Sequence, residues 1–174
     1  RDHPDAYWRE LEETHSYPEA FVDALTGTGV LGALIPEEYG GLGLGLGDAT
    51  VIVEQINRNG GNSAAVHAQL YTMGAVLRHG SREQREKYLP GIANGSIRLQ
   101  AFGVTEPGAG TDTTKIRTFA RRDGDSYVVN GQKVWTSRVQ HSDLMLLLAR
   151  TTPLDQVQKR SDGMSTFLID MREV

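Results

Sequence analysis

The chain has 174 residues, of which 39% are hydrophobic and 23% charged, a composition that supports a folded core and excludes general disorder. Its formal net charge of −4 offers no basic excess to neutralise a phosphate backbone, so we expect no nucleic-acid partner. The longest apolar run, residues 144–149, is too short for a transmembrane segment, and the lack of cysteine excludes disulfides and cysteine-ligated metals.

The first part of the chain has the hydrophobic spacing of helices. The pattern predicts a first helix over residues 7–15. Residues that favour helix starts then mark four more, namely Pro18, Asp48, Asn62 or Ser63, and Ser81. Ser81 and Gln84 fit a capping box, in which each side chain satisfies the other's backbone N–H. We expect this fifth helix to stop near Leu89 and Pro90.

After about residue 100 the hydrophobic period drops to two, which is typical of strands. The predicted strands cover residues 116–121, 126–129, 132–136, 144–149 and 165–170. Hairpin turns are predicted at residues 123–125 and at Asn130-Gly131, and residues 151–163 are predicted to form a surface loop.

Helices followed by strands predict an α+β fold with segregated halves rather than alternating βαβ units. We predict a helical domain over residues 1–98 and an antiparallel β-domain over residues 99–174. Arg1 is not an initiator methionine, and Val174 follows a strand-like run with nothing to close it. We therefore expect the chain to be a piece of a longer protein.

Two features that suggest ligand sites do not fit their patterns. The glycine-rich segment 40–47 lacks the last glycine of the dinucleotide fingerprint, and the chain has no Gly-Lys pair for a phosphate loop. It is predicted to be a closely packed connection between helices. The five histidines have no partners at metal-ligand spacing, so we expect no metal site.

The residues best suited to chemistry lie in two short stretches. An apolar segment from Phe102 runs into a Gly/Pro loop over residues 104–112, where glycine lets the backbone approach a flat ligand. About 25 residues later, Trp135 stands beside two hydroxyl side chains. A planar heteroaromatic cofactor needs a stacking face, peptide partners for its edge and a nearby hydroxyl. Taken singly, a Gly/Pro loop after a strand is usually an ordinary turn, and a tryptophan at a strand end is usually a core residue.

Together the two stretches resemble the acyl-CoA dehydrogenase family. Residues 105–112 (TEPGAGTD) are similar to the family's T-E-P-x-A-G-S-D signature, and residues 130–135 (NGQKVW) to its N-G-x-K-x-W stretch. Residues 36–41 and Leu89-Pro90 match its helical part. The resemblance implies a helical N-terminal domain, a middle domain similar to an antiparallel β-barrel, and a C-terminal four-helix domain absent from this chain.

The same resemblance implies FAD as cofactor and α,β-dehydrogenation of an acyl-CoA thioester as reaction. Phe102, Val104 and Thr105 would line the isoalloxazine ring, Trp135 would lie against it and Ser137 would reach N5. Thr111 would bond the cofactor edge or the coenzyme A arm. The implied cofactor-binding residues are Phe102, Val104, Thr105, Gly110, Thr111, Trp135 and Ser137, with Thr111 also implied in substrate binding.

Two positions depart from the family pattern, and both keep a hydroxyl. Thr111 stands where serine is usual and Ser137 where threonine is usual. If residues 132–136 form a strand, alternation places Ser137 on the side of Trp135 and Thr136 on the other, which favours Ser137 as the flavin hydroxyl.

The resemblance places the catalytic base beyond this chain, so no catalytic residue is expected within it. Glu106 and Asp112 are expected to order the loop through hydrogen bonds instead. Implied partners are an acyl-CoA substrate, an electron-transferring flavoprotein or similar acceptor, and further copies of the protein in a homo-oligomer. The implied location is the cytoplasm in a bacterium and the mitochondrial matrix in a eukaryote.

Other functions of the same fold stay open at this stage. Acyl-CoA oxidases, nitroalkane oxidases and flavin monooxygenases share the flavin frame and differ in the base and in oxygen access. A non-catalytic subunit that binds a partner is a further alternative, although it would not need both flavin-contact motifs.

Overall fold

The computed structural model describes residues 2–173, and the chain divides after Gln100 into two compact units. The first unit carries five α-helices: α1 (Asp5–Thr14), α2 (Glu19–Gly27), α3 (Leu46–Arg58), α4 (Ala64–His79) and α5 (Arg82–Ala93). Five strands follow: β1 (Leu99–Gly103), β2 (Phe119–Asp123), β3 (Ser126–Asn130), β4 (Leu144–Arg150) and β5 (Met164–Asp170). None of the helices in the described part is long and apolar enough to cross a bilayer.

The helix starts follow the predicted capping chemistry at Ser81 and depart from it at Asp48. At α4 the Asn62 side chain accepts from the Ala64 N–H at 2.9 Å, whereas the Ser63 side chain makes no cap hydrogen bond. The Ser81 hydroxyl accepts from the Gln84 N–H at 3.2 Å and the Gln84 side chain accepts from the Ser81 N–H at 2.9 Å, which confirms the capping box. Asp48, predicted as the cap of α3, instead lies in its first turn and accepts from the Gly45 N–H at 3.0 Å. Its carboxylate still satisfies a backbone donor at the helix start.

The prediction that α5 stops near Pro90 is wrong. The helix continues to Ala93, and the Asn94 N–H donates to the Pro90 carbonyl at 3.1 Å. Leu89 and Ile92 are fully buried on either side of the proline. Burial of these side chains outweighs the backbone hydrogen bond that proline cannot donate.

The glycine-rich segment is a closely packed connection, as predicted. The Gly43 N–H donates to the Ile35 carbonyl and the Leu44 N–H to the Ala33 carbonyl, both at 2.8 Å. A Cβ at Gly41 would collide with the backbone of Ile35. Glycine is therefore required here by the approach of two chain segments rather than by a phosphate.

The helical unit has an apolar core with satisfied polar groups. Its largest fully buried side chains include Leu31, Ile35, Met73, Leu89 and Leu99. Within this core the Tyr17 hydroxyl donates to the Gln100 side chain at 2.7 Å, and Gln100 donates to Gln69 at 3.3 Å. These bonds compensate the cost of burying the amides.

The strands form one five-stranded sheet in the order β1-β4-β2-β3, with β5 also paired to β4. β4 and β5 pair antiparallel over seven residue pairs, and β2 and β3 form an antiparallel hairpin around Gly124 and Asp125. β2 meets β4 in parallel at Phe119 and Arg150. The α+β order is thus confirmed, and the sheet is mixed rather than purely antiparallel.

The predicted strand over residues 132–136 and the hairpin at Asn130-Gly131 are wrong. The chain runs irregularly from Gly131 to Thr136, and β3 has β2 as its hairpin partner. Gly131 packs so closely against Thr118 that a Cβ there would overlap the threonine side chain. The glycine of this dipeptide therefore serves a close contact rather than a turn.

Candidate cofactor site

Residues 104–112, which we call the signature loop, follow directly after β1. Glu106 and Ala109 exchange two backbone hydrogen bonds of 3.0 Å, which closes a tight turn at Pro107 and Gly108. Asp112 ends the loop by accepting from the Thr114 N–H at 3.2 Å. The loop is held by its own backbone at one end and by an acidic cap at the other.

The Glu106 carboxylate organises the neighbouring chain rather than facing solvent. Its Oε2 accepts from the Arg117 N–H at 2.6 Å, and its Oε1 accepts from the Thr118 N–H and from Lys133 Nζ, both at 2.9 Å. Only 7% of the Glu106 side chain and 9% of the Lys133 side chain are exposed. The expected loop-ordering role of Glu106 is confirmed.

The pKa of Glu106 reflects these contacts. Burial opposes its ionisation, but the nearby Thr118 hydroxyl, the Lys133 ammonium and the two backbone N–H groups outweigh burial and lower the pKa from 4.5 to about 2. The Thr118 hydroxyl is itself buried, and its geometry falls short of a hydrogen bond. A carboxylate this acidic and this fully bonded is poorly suited to removing a substrate proton.

Residues 133–137, which we call the tryptophan segment, are tied to the signature loop by two hydrogen bonds besides the Lys133–Glu106 contact. The Val134 N–H donates to the Thr105 carbonyl and Lys133 Nζ donates to the Val104 carbonyl, each at 2.9 Å. These contacts take the place of the strand pairing predicted for this segment. They bring Val104 and Thr105 close to the backbone that carries Trp135.

Trp135 has a strained backbone and an uncovered ring. Its φ of 59° lies in the left-handed region, which costs a bulky residue about 1–3 kcal/mol. Its side chain is 87% exposed, although an indole is usually buried. Backbone strain of this kind persists where the surrounding structure fixes it, and it is concentrated at functional sites.

The remaining predicted cofactor-binding residues lie on β1, on the signature loop and in a turn. Phe102 lies half-buried on β1, Gly110 and Thr111 are exposed on the signature loop, and Ser137 is exposed in a turn. Among the described residues, no hydrogen bond joins the Thr111 or Ser137 hydroxyl to the rest of the site. The alternation argument for Ser137 over Thr136 is wrong because the segment is not a strand.

Gly110 has open space where a side chain would be. A Cβ built on it meets nothing within 4 Å, and the same holds for Gly108. Neither has a backbone conformation that requires glycine. Packing within the described chain therefore does not explain these glycines, and the absent side chains leave the loop backbone open to approach.

Sequence reasoning missed two residues that support the site. Lys133 lies within the N-G-x-K-x-W stretch, but its role depends on contacts with residues far away in sequence. Arg150 is 3% exposed and donates to four backbone carbonyls, those of Thr114, Ile116, Arg160 and Asp162. A charged residue directly after an apolar strand was the only local signal for Arg150.

The described residues contain no group of three or more potential metal ligands.

Two family models match the chain, the acyl-CoA dehydrogenase N-terminal domain over residues 1–96 and the acyl-CoA dehydrogenase middle domain over residues 101–174. The motifs that line the candidate site fall within the second match.

Individual proteins show the same similarity. A cyclohex-1-ene-1-carbonyl-CoA dehydrogenase of Syntrophus aciditrophicus is 36% identical over 92% of this chain and 38% of its own length. The acyl-CoA dehydrogenase FadE29 of Mycobacterium tuberculosis is 38% identical over 94% of this chain and 42% of its own length. A crystal structure of an acyl-CoA dehydrogenase from Geobacillus kaustophilus has a TM-score of 0.85 and 30% identity, covering 97% of this chain and 44% of that one. The chain spans about two fifths of the length of these curated relatives.

Proposed function

The chain belongs to the acyl-CoA dehydrogenase family, and on that premise we propose that it supplies the flavin-facing part of an enzyme that dehydrogenates acyl-CoA thioesters. The family's oxidoreductase chemistry fits the two motifs quoted from the sequence. The activity is proposed for the whole protein, because this chain spans about two fifths of the length of its relatives.

One observation carries the proposal. The Val134 N–H donates to the Thr105 carbonyl, so the two motifs, nearly 30 residues apart, form one unit. This bond places an exposed indole next to a loop whose glycines leave the backbone accessible. A flat aromatic face beside accessible peptide groups is what a planar cofactor requires.

The residues fit FAD in three respects. Trp135 offers an exposed ring for stacking. Within residues 2–173 the Thr105 N–H and hydroxyl donate to no acceptor, so both are available to a cofactor edge. Gly110 and Thr111 offer an uncrowded backbone and an exposed hydroxyl on the same loop.

The chemistry that FAD supplies in this reaction class is acceptance of a hydride at flavin N5. This chain's own residues would bind and orient the ring: Thr105 at its edge, Trp135 on its face, and Ser137 or Thr136 as the hydroxyl near N5. Glu106 would hold the loop and take no part in proton removal, since its pKa is about 2. The base that takes the substrate α-proton would come from outside this chain.

We propose the finer points on the family resemblance alone. They are FAD as the resident flavin, an acyl-CoA whose thioester arm meets Thr111, an electron-transferring flavoprotein or similar acceptor, and assembly into a homo-oligomer. A cyclohexenoyl thioester is the substrate named for one relative, which supports a CoA thioester but sets no chain length here.

Anaerobic addition of acyl-CoA thioesters to the native protein tests the proposal. If it is correct, a protein-bound flavin loses its visible absorbance on addition of at least one saturated acyl-CoA, and the matching enoyl-CoA is formed. An enoyl-CoA added in place of the saturated thioester is the matched control and should not bleach the flavin. A protein that binds no flavin, or whose flavin is bleached by no acyl-CoA, would refute the function.

A further inference from the structure

The Lys133 ammonium is buried together with the Glu106 carboxylate, with 9% and 7% of the side chains exposed. Burying two charges costs solvation, and the attraction between them often does no more than offset that cost. A well-packed apolar pair would serve stability as well. The position of this pair, which joins the signature loop to the tryptophan segment, therefore calls for a role other than stability.

Lys133 donates to a carbonyl as well as to its ion-pair partner. Its Nζ lies 2.9 Å from the Val104 oxygen and 2.9 Å from Glu106 Oε1. The Val104 carbonyl belongs to the same peptide group as the Thr105 N–H. An ammonium bound to a carbonyl draws electron density from the peptide nitrogen, so the N–H becomes a stronger donor.

The Thr105 N–H is the free end of this arrangement. It donates to no acceptor within residues 2–173, and Thr105 is only half-buried. The opposite side of the residue is fixed, because the Thr105 carbonyl accepts from the Val134 N–H. The carbonyls of Val104 and Thr105 thus each accept a hydrogen bond, whereas the Thr105 N–H between them donates to no acceptor within residues 2–173.

We propose that Lys133 is a positioning residue that orients and polarises the Val104–Thr105 peptide so that the Thr105 N–H binds the edge of the flavin. Glu106 balances the lysine charge and holds the ammonium against the Val104 carbonyl. The inference rests on the proposed function, because the acceptor is the FAD of that site.

A double substitution distinguishes an ion pair that only stabilises the fold from one that also positions the Val104–Thr105 peptide. Lys133→Met alone leaves the Glu106 carboxylate buried without its counter-ion, so stability falls under either role. Adding Glu106→Gln removes that unpaired charge; the amide oxygen still accepts from the Thr118 N–H, but the amide NH2 group cannot accept from the Arg117 N–H. Stability should therefore recover in part in the double variant, whereas the Val104 carbonyl still lacks its ammonium.

The test compares native protein stripped of FAD with three variants: Lys133→Met, Lys133→Met/Glu106→Gln, and Lys115→Met. Lys115 is the matched control, because it pairs with Asp112 at the surface of the same loop region. Denaturant unfolding reports stability and titration with FAD reports affinity. The double variant should be more stable than Lys133→Met alone and still bind FAD about threefold to tenfold more weakly than wild type. Lys115→Met should match wild type in both.

A second readout uses the protein without flavin. The Thr105 amide proton resonance should move upfield in both Lys133 variants, since the N–H is less polarised, and stay in place in Lys115→Met. If Lys133→Met does not fold, the double variant carries both measurements.

Wild-type FAD affinity in the double variant, or an unmoved Thr105 resonance, would overturn the inference and leave the proposed function intact. Wild-type protein that binds no FAD would refute the proposed function itself, together with the flavin contact inferred for Thr105.

Discussion

The Val134 nitrogen lies 2.9 Å from the Thr105 carbonyl oxygen, and this backbone hydrogen bond joins the two motifs of the candidate site. It fixes the backbone on the N-terminal side of Trp135, whose φ of 59° is costly for a bulky residue. The strained backbone of Trp135 is thus fixed by a hydrogen bond of the preceding residue rather than by packing of the exposed indole.

Removing the Thr105 hydroxyl should weaken flavin binding. Thr105→Val keeps the volume of the side chain and removes one donor, which is worth about 0.5–1.5 kcal/mol, or a twofold to tenfold loss of affinity. Titration of the native protein with FAD measures the effect. Thr113→Val, a change of the same type in the adjoining short helix, is the control and should bind FAD as wild type does. An unchanged dissociation constant in Thr105→Val would remove the hydroxyl from the site.

Glu106 should make stability depend on acid pH. Because its pKa in the folded protein is about 2 and its ordinary value is 4.5, the ionised form stabilises the fold above about pH 4.5. This contribution, about 3 kcal/mol, is lost as the pH falls from 4.5 towards 2.

The measurement is the free energy of unfolding of wild type and Glu106→Gln between pH 2 and pH 6. The gap between the two proteins should close as the pH falls, because the glutamine does not titrate. A gap that stays constant over this range would show that the carboxylate is not held ionised by its neighbours.

Two glycines of the sheet unit should respond oppositely to alanine. Gly131→Ala places a Cβ against Thr118 and should cost about 1–3 kcal/mol of stability without a specific effect on flavin. Gly110→Ala has room for its methyl group and should leave stability within about 0.5 kcal/mol, yet weaken FAD binding. Denaturant unfolding and FAD titration of both variants decide the matter. Equal FAD affinity in Gly110→Ala and wild type would show that no ligand approaches this glycine.

Lysine should not be able to replace the buried guanidinium of Arg150 without loss of stability. It binds four carbonyls from two chain segments, and a single ammonium cannot reach all of them. Arg150→Lys should lower the free energy of unfolding by about 3 kcal/mol or more, since hydrogen bonds to charged groups are the strong ones. Arg121→Lys, on the exposed surface of β2, should change it by less than about 0.5 kcal/mol. A similar effect of both substitutions would contradict the role of Arg150.

The hydroxyl near flavin N5 is a choice between two neighbours. The family resemblance favours Ser137, and the irregular backbone gives no alternation to support it. Ser137→Ala should slow flavin reduction about tenfold to a hundredfold while Ser137→Thr stays close to wild type. Stopped-flow reduction rates that fall in Thr136→Val and not in Ser137→Ala would assign the role to Thr136.

The sequence predicted the parts of the fold that depend on local signals. Helix caps such as Ser81 act within one turn, so the residues that make them are neighbours in the chain. The order of helices and strands followed from hydrophobic periods. Both are properties that a short window of sequence contains.

Non-local contacts explain the errors. Residues 132–136 have a strand-like pattern. However, the Lys133 side chain and the Val134 N–H donate to the carbonyls of Val104 and Thr105, in a loop that is distant in sequence. Pro90 is a helix breaker in isolation and is tolerated because its neighbours are buried. The Glu106–Lys133 pair joins residues 27 positions apart, and no local pattern reveals it.

Flavin affinity of Trp135→Ala is the most direct test of the claim that this chain holds the cofactor. Trp8→Ala is the matched control, because Trp8 packs edge-to-face on Phe21 in the helical unit, with ring centroids 4.9 Å apart. Aromatic stacking on a heterocycle is worth about 1–3 kcal/mol, so native protein carrying Trp135→Ala should bind FAD at least about fivefold more weakly. Trp8→Ala should lose stability and keep wild-type affinity. Equal FAD dissociation constants in Trp135→Ala and wild type would contradict the assignment of the site.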